Sequence, residues 1–291
     1  MSEAEEARAC HLNRAAETMS LTESFRTTID HARRRFSRRL AGARIGICVD
    51  EATAGDLAAL RSLEYRGRLP LVRTFNHGDP ASAERILTLA DEGFPLLVTI
   101  PFGKGLGPVV PGMTIQIDHE PDAQSPAVSP EQYGGTFRST VQFMRKRLPS
   151  SIPIVTAGFS ATASVNWIAR ALSAGGCDAD AVCFNILSPG RTLVPEYLRQ
   201  LAVVQAAMEQ AECEKPLWLT GVGYVAAGAR SYAMALADLL ALPELRTVER
   251  VYLGPLAGEE SADWPFALCA HDPQRTPRPA FSVLRKAMLR P

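Results

Sequence analysis

The run MTIQIDHE, residues 113 to 120, ends an apolar stretch on two carboxylates, Asp118 and Glu120, with His119 between them. Alternation along a strand places Gln116, Asp118 and Glu120 on one face and Ile115, Ile117 and His119 roughly on the other. An acid at a strand end, with a second carboxylate two residues below it, is expected to have its pKa raised by like-charge repulsion and partial desolvation. That is the property a general acid requires. The same residues read equally as a structural network in which Asp118 and Glu120 are paired with Arg73.

Other polar residues close other apolar runs. Asp50 and Glu51 follow the first, Arg73 sits in the second with Asn76 and His77 after it, Asn185 lies near the end of the sixth, and Thr220-Gly221 ends the seventh. The runs cover 43 to 50, 70 to 75, 94 to 102, 113 to 120, 152 to 158, 180 to 187, 216 to 223 and 249 to 256. Helix-like segments at 80 to 92, 130 to 148, 162 to 175, 195 to 212, 227 to 242 and 279 to 289 lie between or after them. This alternation is the pattern of βαβ units around a parallel sheet. Eight such strands close into a (β/α)₈ barrel, an α/β fold whose active sites lie at the C-terminal strand ends. An open doubly wound sheet usually has a Gly-rich first turn, whereas the first turn here reads VDEATAG.

The expected organisation is an N-terminal helical extension over 1–41 and a barrel over 42–291, with a trimmed third crossover. The trimming follows from FGKGLGPVVPGM, residues 102 to 113, which is too rich in Gly and Pro for a regular helix. Lys104 in that segment lacks the GxxxxGK[ST] context of a phosphate loop and reads as part of a flexible connection. The basic run His31, Arg33, Arg34, Arg35, Arg38 and Arg39 reads as a solvated helix face rather than a polyanion contact.

The chain has 291 residues, is 46% hydrophobic and carries no net formal charge, which suits one large domain and provides no general field for nucleic acid or anionic lipid. That balance favours a neutral or weakly charged ligand, with no nucleic acid, no membrane span, no cofactor and no metal expected. The six cysteines are scattered without a CxxC or a metal-type cluster and read as small buried hydrophobes. With no apolar secretion-type run near the start, the expected location is cytoplasmic, or extracellular if a leader has been removed.

Four segments together resemble clan A glycoside hydrolases, the (β/α)₈ retaining glycosidases. IQIDHEPD is similar to the strand-four signature in which an Asn-Glu-Pro triplet presents the acid/base glutamate, and the resemblance places that role on Glu120. VRTF resembles the strand-two segment whose arginine supports the nucleophile, here Arg73. LWLTGVGY is similar to the strand-seven motif, and Arg278-Pro279-Ala280 to the triplet that introduces the last helix. The resemblance spans roughly residues 44 to 289.

Two positions depart from that pattern. His119 stands where the family has Asn and can still donate to a sugar hydroxyl. Gly221 stands where the family keeps its nucleophilic glutamate. Retaining hydrolysis uses two carboxyl groups about 5–5.5 Å apart and inversion two about 6.5–9.5 Å apart, so a vacant position removes the ordinary route. Three explanations stand: a pseudoglycosidase that keeps its cleft, an active hydrolase recruiting Glu259, Glu260, Asp50 or Glu51, and an inactivated variant. The expected substrate-binding set is Arg73, His119, Asp118, Asn76, His77, Asn185, Tyr224 and Trp264. Tyr252, Phe102 and Phe159 are further sugar-stacking candidates, whereas Trp167 and Trp218 read as core. The expected ligand is a β-linked oligo- or polysaccharide. Rival readings are a barrel enzyme acting on a phosphorylated small molecule at Lys104, and an interaction protein using its basic N-terminal helix.

Overall fold

Apolar runs of six to nine residues contain the strands, and most segments between them become helices started by residues suited to capping. In the computed structural model, residues 45–125, 128–188, 193–224, 229–258 and 267–288 are described. The expected N-terminal extension lies outside them. Thr53 forms a reciprocal capping box with Asp56 at the start of the helix Ala54–Arg61. Asp79 and Ser129 cap the helices Pro80–Asp91 and Pro130–Arg145, each with a proline in the first turn, where the missing N–H costs nothing. Ser164 caps the helix Val165–Ala174 in the same manner. The helices Leu193–Gln210, Ala229–Ala241 and Pro279–Met288 follow.

The strands are β1 (Ile45–Cys48), β2 (Leu71–Phe75), β3 (Leu96–Ile100), β4 (Thr114–Ile117), β5 (Ile154–Val155), β6 (Gly158–Phe159), β7 (Val182–Ser188), β8 (Leu217–Tyr224) and β9 (Val248–Leu253). All pair in parallel, in the order β5-β4-β3-β2-β1-β9-β8-β7-β6. β5 and β6 are two halves of one short segment, of which the first pairs with β4 and the second with β7. His119 also bridges Gly158, so the two edges of the order meet in that segment and the expected barrel is formed. A short parallel pair, β10 (Ala257–Gly258) and β11 (Cys269–Ala270), follows β9.

Inside the barrel, Leu97, Val155, Ala181, Cys183, Trp218 and Tyr252 pack as one apolar cluster. Trp218 is core, as expected. Tyr252 and Phe159, expected as sugar platforms, are 1% and 0% exposed. The Tyr252 ring fills the space above Gly46, where a Cβ would lie 2.4 Å from it, and Phe159 packs against Tyr133 and Trp167 on the helical side. Phe102 is half-buried against Tyr133, and neither Phe102, Phe159 nor Tyr252 offers a face to the mouth of the barrel.

The third crossover holds no helix between β3 and β4, as the Gly/Pro content requires. Asn76 anchors it: its Nδ2 donates to the carbonyls of Gly105 and Leu106 at 3.2 and 3.1 Å, and its Oδ1 accepts from Gly78 N and Ser82 Oγ. Gly107, at φ +67°, lies so close that a Cβ there would sit 2.5 Å from Asn76 Nδ2. Asn76, expected among the ligand-binding residues, is 1% exposed and occupied by this loop.

The chain is clasped near its other end by Arg275. This residue is 4% exposed and sits at φ +52°. It pairs with the buried Asp56 at 2.7 Å and with Glu51 at 2.6 Å. Glu51 is thereby tied to a smaller hollow beside Asp56 and His271 instead of the main cavity. No helix among the described residues is long and apolar enough to cross a membrane.

Candidate active site

The C-terminal strand ends surround a cavity of about 700 Å³. Arg73, Phe75 and His77 reach it from the end of β2, alternate residues on one face, as strand geometry dictates. Asn185 and Leu187 do so from β7, and Gly221 from β8. His119 and Glu120 come from the turn after β4, and Asp50 from the turn after β1.

The turn after β4 departs from simple alternation. β4 ends at Ile117, after which Asp118 and Glu120 take left-handed backbone angles, φ +72° and +46°. Such angles cost non-glycine residues about 1–3 kcal/mol each and persist only where surroundings impose them. Here the imposing contacts are backbone hydrogen bonds from Asp118 N to Ile100 O at 2.8 Å and from Glu120 N to Gly158 O at 3.1 Å. The reversal turns His119 into the cavity and takes Asp118 out of it. The expected grouping of Asp118 with Glu120 is therefore corrected: Asp118 is 5% exposed, accepts from Gln124 Nε2 at 3.2 Å and does not line the cavity.

Glu120 is half-buried, and loss of solvent pushes its pKa up. The neighbouring charge that adds to this is Asp122, not Asp118, while a hydrogen bond from Asn185 and the positive charge of Arg73 oppose it. Asp122 is held by Ser160, whose backbone N donates to it at 2.9 Å.

A buried relay fixes the donor facing Glu120. Gln116 Nε2 donates to Thr220 Oγ1 at 3.2 Å, and Thr220 Oγ1 donates to Asn185 Oδ1 at 3.0 Å. The Asn185 amide is thereby oriented with Nδ2 toward Glu120 Oε1, at 2.8 Å. Gly158 permits this, since a Cβ there would fall 2.6 Å from both Asn185 Oδ1 and Thr220 Oγ1.

Arg73 is 3% exposed and makes no ion pair among the described residues. The expected pairing of Arg73 with Asp118 and Glu120 is thus replaced by neutral partners. Its Nε donates to Thr99 Oγ1 and Gln116 Oε1 at 3.2 and 3.1 Å, and Nη1 to the Thr220 carbonyl at 2.7 Å. Its Nη2 faces His119 Nδ1 at 3.2 Å, and because arginine only donates, Nδ1 must accept and the ring proton sits on Nε2. Burial first, and the adjacent guanidinium second, push the His119 pKa down to about 4. His119 is therefore neutral near pH 7.

Aromatic surface in the cavity comes from Phe75, which alternation from Arg73 would have found. Its ring stacks on His77 at 6.0 Å, meets His119 edge-on at 5.4 Å and lies under the Arg73 guanidinium at 4.7 Å. Gly221 lies where β8 bulges, with register shifts against both neighbours. A Cβ built there would sit 3.0 Å from Asn185 Oδ1, so a side chain at 221 would start against the residue whose Nδ2 holds Glu120. Among the described residues, Glu120 and Asp50 are the carboxylates that line the cavity. Glu259, Glu260, Trp264 and the Tyr224 side chain lie outside the described residues. Lys104 is exposed on the crossover loop and does not line the cavity.

No protein-family profile and no curated protein matches the sequence. Solved structures do match the fold. An exo-β-1,3-glucanase of glycoside hydrolase family GH128 from Aureobasidium namibiae aligns with TM-score 0.59 and 14% identity over 87% of this chain and 98% of its own. A curdlan-specific GH128 exo-β-1,3-glucanase from Blastomyces gilchristii, in complex with glucose, gives 0.55 and 14% over 85% and 99%. An endo-β-1,4-glucanase from Xanthomonas axonopodis pv. citri gives 0.59 and 15% over 84% and 98%. A GH5 cellulase is also among the matches, and the fold of this chain is a (β/α)₈ barrel similar to those of these glycoside hydrolases.

Proposed function

We propose that the chain is a glycoside-hydrolase-like barrel that binds a β-linked glucan in the cavity over Glu120, with hydrolysis impaired by the missing nucleophile. The observation carrying this reading is a desolvated acid, held by Asn185, in a cavity also lined by Gly221, where a Cβ would meet the same Asn185. Glu120 has the raised pKa of a proton donor, and His119 Nε2, His77 and the Phe75 ring supply the polar and apolar contacts a sugar ring requires. Similarity of fold to glucanases named for β-1,3 and β-1,4 linkages supports the substrate class. Against the phosphorylated-substrate rival, Glu120 lines the cavity and Lys104 does not.

The test restores the carboxylate. Gly221→Glu is assayed on aryl β-glucosides and on β-1,3- and β-1,4-glucans beside the original protein and the Gly221→Glu/Glu120→Gln double variant. Because the new Cβ is only 3.0 Å from Asn185 Oδ1, Asn185 must yield by a few tenths of an ångström against its hydrogen bonds with Thr220 and Glu120. Activity gained in Gly221→Glu and lost in the double variant is expected. Asp50 lines the same cavity and favours a second reading, an active hydrolase with a recruited carboxylate. High activity in the original protein that disappears on Asp50→Asn, or on Glu259→Gln/Glu260→Gln, would replace the first reading with the second. Absence of activity and of glucan binding in every form would refute both.

A further inference from the structure

Arg73 and Arg275, the arginines buried among the described residues, are compensated differently. Arg275 is met by two carboxylates, Asp56 and Glu51. Arg73, at 3% exposure, is met among the described residues by two oxygens of neutral side chains, one carbonyl and one neutral imidazole, with an aromatic ring against its face. A guanidinium carries five N–H donors, and these contacts occupy three. A cation taken out of water is normally matched by an anion close by, because the desolvation penalty is otherwise unrelieved.

The space for that anion is next to Gly221. Arg73 Nη1 is bonded to the carbonyl of Thr220, the residue immediately before it, and Arg73, Asn185, His119 and Gly221 line the same cavity. The acids that share the cavity are otherwise placed: Glu120 is held by Asn185, and Asp50 is exposed at the rim. The Cys48 thiol nearby has its pKa raised by burial and stays uncharged.

We propose that the cavity wall between Gly221 and Arg73 is a binding site for a small carboxylate group, either a free carboxylate or the carboxylate of a uronic acid residue in a glycan. The planar guanidinium suits a carboxylate's two oxygens, and the cavity that Arg73 shares with Gly221 has the volume for one. The uronate source rests on the carbohydrate reading of this cavity, whereas the free-anion source stands on Arg73 alone.

Calorimetric titration with sodium formate, at constant ionic strength against chloride, tests the site directly. Glucuronic acid against glucose distinguishes the sources. Saturable formate binding is expected in the original protein, weakened about tenfold or more in Gly221→Glu, where the fixed carboxylate takes the same place, and likewise in Arg73→Gln. Glucuronic acid binding about tenfold tighter than glucose assigns the carboxylate to the glycan, and equal affinities with formate bound assign it to a free anion. No saturable formate or glucuronate binding overturns the proposal, as does binding that survives both Gly221→Glu and Arg73→Gln. Binding that appears only in Glu259→Gln/Glu260→Gln also overturns it, since the chain would then supply its own anion. Laminari- and cello-oligosaccharide titrations on the same samples separate the two readings: oligosaccharide bound without carboxylate sinks only this inference, and carboxylate bound without oligosaccharide sinks only the β-glucan assignment.

Discussion

Replacing His119 by asparagine removes a titrating ring whose proton the folded protein resists. Protonation would put an imidazolium 3.2 Å from the buried Arg73 guanidinium, and its pKa falls from the ordinary 6.5 to about 4. The unfolded chain therefore binds a proton near pH 6.5 that the folded chain refuses until about pH 4. Stability from this residue is fully present above pH 6.5 and is lost as pH falls toward 4. Each pKa unit corresponds to about 1.4 kcal/mol, so the loss totals about 3 kcal/mol and reaches about 2 kcal/mol between pH 7 and pH 5. Urea unfolding at those two pH values, followed by tryptophan fluorescence in the original protein and in His119→Asn, measures it. The variant loses an acceptor for Arg73 at every pH, so its stability at pH 7 is lower, but its fall on acidification is smaller by about 2 kcal/mol. Asp118 and Glu120, whose pKa values are raised, contribute with the opposite sign in both proteins and cancel in the comparison. The same fall in both proteins would refute the placement of His119 against Arg73.

Arg275→Met strands Asp56 in the interior and is expected to lower stability by about 3–5 kcal/mol, with Asp56→Asn in the same chain recovering a substantial part. Equal melting temperatures for single and double variants would contradict the clasp. Asn76→Ala removes four hydrogen bonds and leaves the carbonyls of Gly105 and Leu106 unpaired by it, for a loss of about 2–4 kcal/mol, while glucan affinity at 25 °C is unchanged. A weakened glucan titration with intact stability would return Asn76 to the binding site.

The barrel was legible because its strands are short apolar runs separated by segments of helical period, a signal that survives without tertiary information. Every one of the eight expected runs contains strand residues. The trimmed crossover was legible for a similar local reason, since glycines and prolines over 102 to 113 prohibit a helix whatever surrounds them. What failed was the extrapolation of alternation past Ile117. The left-handed angles at Asp118 and Glu120 are imposed by β3 and β6, elements far away in sequence, so nothing local announces that His119 faces in and Asp118 out. Asn76 was misplaced for a related reason: a polar residue after a strand has the same signature whether it serves a ligand or a neighbouring loop. Phe75 was the opposite case. Its parity with Arg73 in VRTF already put it on the inward face.

The clasp between Arg275 and Asp56 joins residues 219 positions apart. At ribosomal speeds of about 5–20 residues per second, the helix Ala54–Arg61 emerges roughly 10–40 s before its partner exists. Until β9 is made β1 has a neighbour on one side only, and until residue 275 is made the buried aspartate at the head of the helix Ala54–Arg61 lacks this counter-charge. The last loop therefore acts as the closing step of folding, which makes the nascent chain dependent on late contacts and leaves its early half exposed to mispairing or to chaperones. A chain cut before residue 275 is expected to lose cooperative unfolding altogether, and not merely one helix.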